Sequence, residues 1–151
     1  MTVAMGASTP MGRISFKAVT WLVRAAVVVG ATLASAHGQA LDAVDVQQRG
    51  ANAEIIVRFA TQILYLRHNP LEEGRSVRIY LRLVGIGLQE SDLTPDSRRL
   101  AALGPAPAAT IRFPEPDGAM SISFDQSTHF SVRPGSDGRS IVVLIPAKPG
   151  S

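Results

Sequence analysis

Ser76-Val77-Arg78-Ile79-Tyr80-Leu81-Arg82-Leu83 alternates between apolar and polar side chains along its length. A strand sends successive side chains to opposite faces, so Val77, Ile79, Leu81 and Leu83 share one face and Arg78, Tyr80 and Arg82 the other. One dry face and one wet face mark an antiparallel strand that covers a core on one side only. The preceding residues continue the scheme. Positions 54–59 put Ile55, Val57 and Phe59 on one face and Arg58 on the other, 63–68 read as a further strand, and 41–48 alternate more weakly. Arg49-Gly50-Ala51-Asn52 and Asn69-Pro70-Leu71-Glu72-Glu73-Gly74 separate them as turns.

The pattern then recurs. At an offset of 65 residues Val46 meets Ile111, Ile55 meets Met120, Val57 meets Ile122, Phe59 meets Phe124 and Tyr65 meets Phe130. With one deletion, Gly74-Arg75-Ser76-Val77-Arg78-Ile79 meets Gly138-Arg139-Ser140-Ile141-Val142-Val143. Chance likeness between alternating strands is the competing explanation. The second half divides into strands at 110–114, 119–124, 129–133 and 140–145, with Asp137-Gly138 as a tight hairpin turn. Ile141 to Ile145 is apolar on both faces, as befits a central or doubly covered strand.

The fold expected is all-β, with two similar four-stranded halves (about 41–84 and 108–146) packed as a small sandwich. The linker at 85–107 lacks alternation. Thr94 as a cap, Pro95 at the first helical position and Gly104-Pro105 as a stop predict a short helix or loop there. Pro146 and Pro149 end the pattern, leaving 147–151 as a disordered tail.

The amino end reads as export grammar. Arg13 and Lys17 precede Trp21-Leu22-Val23, and after Arg24 an apolar and small-residue run extends from Ala25 to Ala36. That run suits a signal peptide and is short of the roughly 20 apolar residues a bilayer-spanning helix needs. Cleavage is expected after Ala40, or after Ala36, with an uncleaved anchor as the alternative. The localisation implied is the periplasm, with no stable membrane span after cleavage. Three of the 15 basic residues leave with the signal and all 12 acidic residues stay, so the remainder carries no net charge. Nucleic acid is not an expected partner.

No cysteine is present, which excludes disulfides, thiol catalysis, zinc–thiolate sites and a lipidated cysteine. His68 and His129 form no metal-ligand spacing, and no metal or cofactor is expected. Ser127-Thr128-His129 sets a hydroxyl near an imidazole, but adjacent strand residues face opposite ways. Glu72-Glu73 and Asp125 are carboxylates without a poised arrangement, and no Gly-x-Ser-x-Gly elbow occurs. The chain is not expected to be an enzyme.

The candidate binding residues are an outward basic and aromatic stripe: Arg78, Tyr80 and Arg82 on one strand, with Arg58, Tyr65 and Arg67 on neighbouring strands at plausible outward parity. Guanidinium groups bind carboxylates bidentately, and tyrosine offers a ring face and a hydroxyl. An ordinary solvated strand face is the bland alternative. The second half places Arg112, Arg133 and Arg139 comparably.

FATQILYLRHNPLEEGRSVRIYLRL (59–83), answered by FDQSTHFSVRPGSDGRSIVVLIP (124–146), behind a signal peptide, resembles the AMIN domain, a periplasmic module at the N-terminus of envelope proteins such as amidases and pilus secretins. The resemblance spans 41–146. It implies a pair of four-stranded sheets that localise a protein to peptidoglycan or the division site, or that assist secretin assembly. Zinc ligands of an amidase are missing, and no amidase or secretin domain follows Ser151, so a free-standing module and the N-terminal piece of a longer envelope protein both stay open. The function expected is a non-enzymatic envelope module binding peptidoglycan or localising an envelope complex; the alternative is a protein-interaction scaffold.

Overall fold

The computed structural model describes residues 39–85 and 92–148. The segment read as a signal peptide, apart from residues 39 and 40, lies outside these, as do residues 86–91 and 149–151. Among the described residues there are nine strands and no α-helix: β1 (Leu41–Arg49), β2 (Asn52–Phe59), β3 (Gln62–Asn69), β4 (Glu73–Val84), β5 (Asp96–Leu100), β6 (Ala109–Phe113), β7 (Met120–His129), β8 (Ser131–Pro134) and β9 (Ser140–Ile145). They form two antiparallel sheets, ordered β1-β2-β9-β8 and β3-β4-β7-β6-β5. The sheets pack face to face as a small sandwich, with β1 approaching β5 and β3 approaching β8 and β9 across the layers.

The eight strands read from alternation all form. The short helix does not: residues 96–100 make β5, which pairs with β6 from Asp96 opposite Phe113 to Leu100 opposite Ala109. A helix of fewer than two turns has to meet the cost of nucleation with almost no propagation, whereas the open edge of β6 offers a full ladder. Leu93, just before β5, is 7% exposed and belongs to the core cluster.

Each sheet draws strands from both halves. β2 pairs with β1 and with the last strand β9, and β4 pairs with β3 and β7. The register of these cross-half ladders follows the sequence offset. Val57 lies opposite Ile141 and Ile55 opposite Val143; their equivalents, Ile122 opposite Val77 and Met120 opposite Ile79, pair in the other sheet. The sheets interchange at Ala60-Thr61, where the Ala60 amide donates to the Ala40 carbonyl (2.9 Å) and the Ile63 amide to the Gly138 carbonyl (2.9 Å). Both edges of β2 are already taken, by β1 and β9, so the chain passes from Phe59 into the other sheet.

The dry faces meet between the layers. Ala53, Ile55, Val57 and Phe59 of β2, Val77 and Ile79 of β4, Ile111 of β6 and Ile122 of β7 have no solvent exposure. Phe59 meets Phe113 of the opposite sheet edge to face, ring centres 5.3 Å apart, and Phe124 stacks on Phe130 at 5.7 Å. Such pairs add about 0.5–1.5 kcal/mol beyond area burial.

Candidate functional site

Outward positions of the five-stranded sheet form cross-strand rows. Arg78, Ser121, Arg112 and Ser97 lie side by side across β4, β7, β6 and β5, and Ser76, Ser123, Thr110 and Arg99 form the next row. Towards the β3 edge, Arg67 lies opposite Tyr80 and Leu64 opposite Arg82. Short hydroxyl side chains keep the middle of the face low while arginines stand around it. The Arg67 guanidinium carbon sits 4.6 Å from the centre of the Tyr80 ring, within cation–π range.

Some of these cations are satisfied and some are not. Arg78 donates to Asp117 at 2.8 Å, and Arg99 to Asp125 at 2.8 Å, while Arg75 donates to the Asp125 carbonyl at 2.8 Å. The Asp117 hydrogen bond raises the Arg78 pKa further. At Asp117, desolvation acts to raise the pKa, but the Arg78 hydrogen bond, the Ala119 amide and the Arg78 charge outweigh it, so the value is lowered. Among the described residues Arg67, Arg82 and Arg112 have no carboxylate within 4.0 Å.

The four-stranded sheet contrasts with this. Glu54, 8% exposed, is bracketed by Arg49 at 2.9 Å and Arg133 at 3.2 Å. Arg58 approaches Asp137 at 3.9 Å, and Arg139 donates to the carbonyls of Ala60 (2.6 Å) and Phe59 (3.4 Å). Its arginines are matched within the fold.

Four of the six residues singled out from the sequence converge: Arg67, Arg78, Tyr80 and Arg82. Arg58 does not, because β2 belongs to the other sheet and borders β1 and β9, not β4. Tyr65 does not either. It lies opposite inward-facing Leu81 and packs on the core, and an irregularity between Tyr65 and Arg67 reverses parity, so two residues that regular alternation would align face opposite ways. The Tyr65 hydroxyl and the His68 Nδ1 are 2.5 Å apart, and His68 Nε2 is 2.9 Å from the Leu71 carbonyl. That carbonyl only accepts, so Nε2 carries the proton, and in the neutral ring Nδ1 accepts from Tyr65. Desolvation raises the Tyr65 pKa.

Arg112 is the residue that local reading undervalued. Its outward parity was visible between Ile111 and Phe113, but its lack of a partner emerges only in the folded sheet.

Ser127 and His129 share a face of β7 and both meet Glu73, at 3.4 Å and 3.6 Å. The carboxylate stands between hydroxyl and imidazole, so the histidine is not placed to take the serine proton. Asp125 is held by Arg99. Among the described residues no group of three or more His, Asp or Glu side chains is arranged to hold a metal ion, and no helix is long and apolar enough to cross a membrane.

Comparison of the chain with protein-family models, curated proteins and solved structures finds no match.

Proposed function

We propose that this protein is an exported, non-enzymatic envelope module that binds peptidoglycan through the outer face of its five-stranded sheet. One observation carries the reading: of two chemically similar faces, one matches its arginines internally, while the other leaves Arg67, Arg82 and Arg112 without carboxylate partners and stacks Arg67 on Tyr80. Peptidoglycan presents sugar rings for an aromatic and guanidinium surface, and free carboxylates for unpaired arginines. The resemblance to AMIN domains and the export-type amino end support the same assignment and a periplasmic location.

Sedimentation with purified sacculi tests it. Wild-type protein is expected to co-sediment at low salt and an Arg67→Ala, Tyr80→Ala, Arg82→Ala triple variant to stay in solution. Equal retention of the variant rejects the surface, and no retention of either rejects the function.

A second reading, a scaffold that docks a protein partner by strand addition, is favoured by the edge strand β3. Leu64 is 53% exposed, Leu66 49% and, just beyond the strand, Leu71 69%. Strand edges with exposed apolar side chains are templates for pairing. A partner cross-linked in the periplasm, lost in a Leu64→Lys, Leu66→Lys variant and retained in the arginine variant, supports this reading over the first.

A further inference from the structure

At the β5–β6 end of the same face lies an open cleft of about 770 Å³, lined by Asp96, Ser97, Arg112, Glu115, Asp117 and Gly118. Its size is in the range of small-ligand sites. Three prolines on the rim have fixed φ and no N–H, which gives stiff walls.

The charges in the cleft are sorted. Asp96 is engaged by Arg98 at 2.9 Å and Asp117 by Arg78 at 2.8 Å. Two charges remain. Arg112 has no ion pair or hydrogen bond from its guanidinium among the described residues, and Glu115 has no cationic partner within 4.0 Å there, its carboxylate accepting only from the Ser121 hydroxyl. They are three residues apart on one hairpin and yet do not close on each other. Glu115 is fixed from both sides: its amide donates to the Ala119 carbonyl at 2.8 Å, its carbonyl accepts from the Gly118 amide at 2.8 Å, and Ser121 holds the side chain. Arg112 stands between Ser97 and Ser121, whose short side chains neither neutralise nor cover it.

An unpaired guanidinium and an unpaired carboxylate held apart in one cleft are complementary to a group carrying the opposite pair. We infer that this cleft binds the dipolar end of an amino acid, with its carboxylate on Arg112 and its ammonium on Glu115. The proposal deepens the cell-wall reading by naming the group recognised, an amino-acid terminus of the peptide stem, and rests on that reading only for the source of the group.

Titration of isotope-labelled protein with meso-diaminopimelate, followed by NMR, tests it. Two controls each keep one kind of charge: pimelate, the same seven-carbon diacid, keeps only the carboxylates, and cadaverine, the five-carbon diamine left when both carboxyl groups are removed, only the ammonium groups. Diaminopimelate is expected to shift the amides of Arg112, Glu115 and Gly118 and to bind at least about tenfold more tightly than either control, a difference of about 1.4 kcal/mol. Arg112→Gln is expected to abolish the response, and Glu115→Gln, which keeps an acceptor for Ser121, to remove the preference over pimelate. No shift at these amides, equal binding of pimelate, or a response that survives Arg112→Gln overturns the inference. Sacculus retention separates the two proposals: retention without a diaminopimelate response removes the cleft alone, and a diaminopimelate response without retention removes the cell-wall reading alone.

Discussion

Glu54 shows how a single side chain organises one face. Its carboxylate is nearly buried yet meets two arginines whose own side chains are 66% and 58% exposed, so each partner can return to water when the acid is removed. Glu54→Gln is expected to lower stability by about 1 kcal/mol in urea unfolding, whereas Arg58→Ala, which loses an exposed contact at 3.9 Å, changes it by a few tenths at most. Asp137 makes a pH prediction. The Arg139 amide, the Ser140 hydroxyl and the Arg58 charge lower its pKa against a smaller desolvation effect. The folded state therefore binds this proton more weakly than the unfolded chain. Its stabilisation is complete above the ordinary aspartate value of about 3.9 and is lost as pH falls through the lower folded value. Asp137→Asn is expected to flatten the acid limb of a stability profile measured between pH 5 and pH 2, in steps of about 0.5. At this scale the wet side of β4 was legible, because parity alone sets it. The pairing state of its arginines was not. Asp117 lies 39 residues from Arg78, and Arg133 lies 79 from Glu54, so no local pattern records who neutralises whom.

Strands announced themselves wherever one face was dry. β5 is the exception, since among its five residues only Leu100 is apolar, and its strand state derives from the ladder β6 offers. It manages the exposed edge with charge: Arg98, opposite inward-facing Ile111, is held by Asp96. The β8–β9 hairpin depends on a different feature. The Gly135 amide donates to the Ser140 carbonyl at 2.8 Å, and a side chain at 135 would collide with the Ser140 hydroxyl, which itself donates to Asp137 at 2.7 Å. Gly135→Ala is expected to cost about 1–3 kcal/mol by overpacking, visible as a lower thermal midpoint. Gly138, at φ +65° with open space around it, is expected to cost about 1 kcal/mol as alanine through backbone strain alone. The irregularity at Leu66 was invisible beforehand because nothing in Tyr65-Leu66-Arg67 demands it.

For the molecule as a whole, two dry faces among alternating strands make a sandwich the natural solution, and that much could be read from the chain. Strand neighbours could not, because alternation states which way a side chain faces and not which ladder the backbone joins. The interchange of strands between halves has a measurable result. Segments 39–85 and 105–148, produced separately, each lack the β2–β9 and β4–β7 ladders, and each is expected to be unfolded alone by circular dichroism. Mixing them is expected to restore strand signal and dispersed amide resonances, whereas a folded spectrum from either segment alone would contradict the architecture. Phe59→Ala, which removes the ring bridging the sheets, is expected to destabilise the intact protein by about 3–5 kcal/mol in the same measurements.

β9 fills the slot between β2 and β8, and its partner β2 is among the first strands made. On a ribosome, β1 and β2 emerge long before the strand that completes their sheet, and β4 must wait for β7. The five-stranded sheet cannot close until His129 is clear of the tunnel, and the four-stranded sheet cannot close until Ile145 is. Long-range pairing of this kind folds slowly. If the chain is exported as proposed, the delay is useful, because a channel that passes only unfolded polypeptide receives it while its two layers are still apart. On that proposal closure of the four-stranded sheet would fall on the far side of the membrane, timed by the arrival of the last six-residue strand.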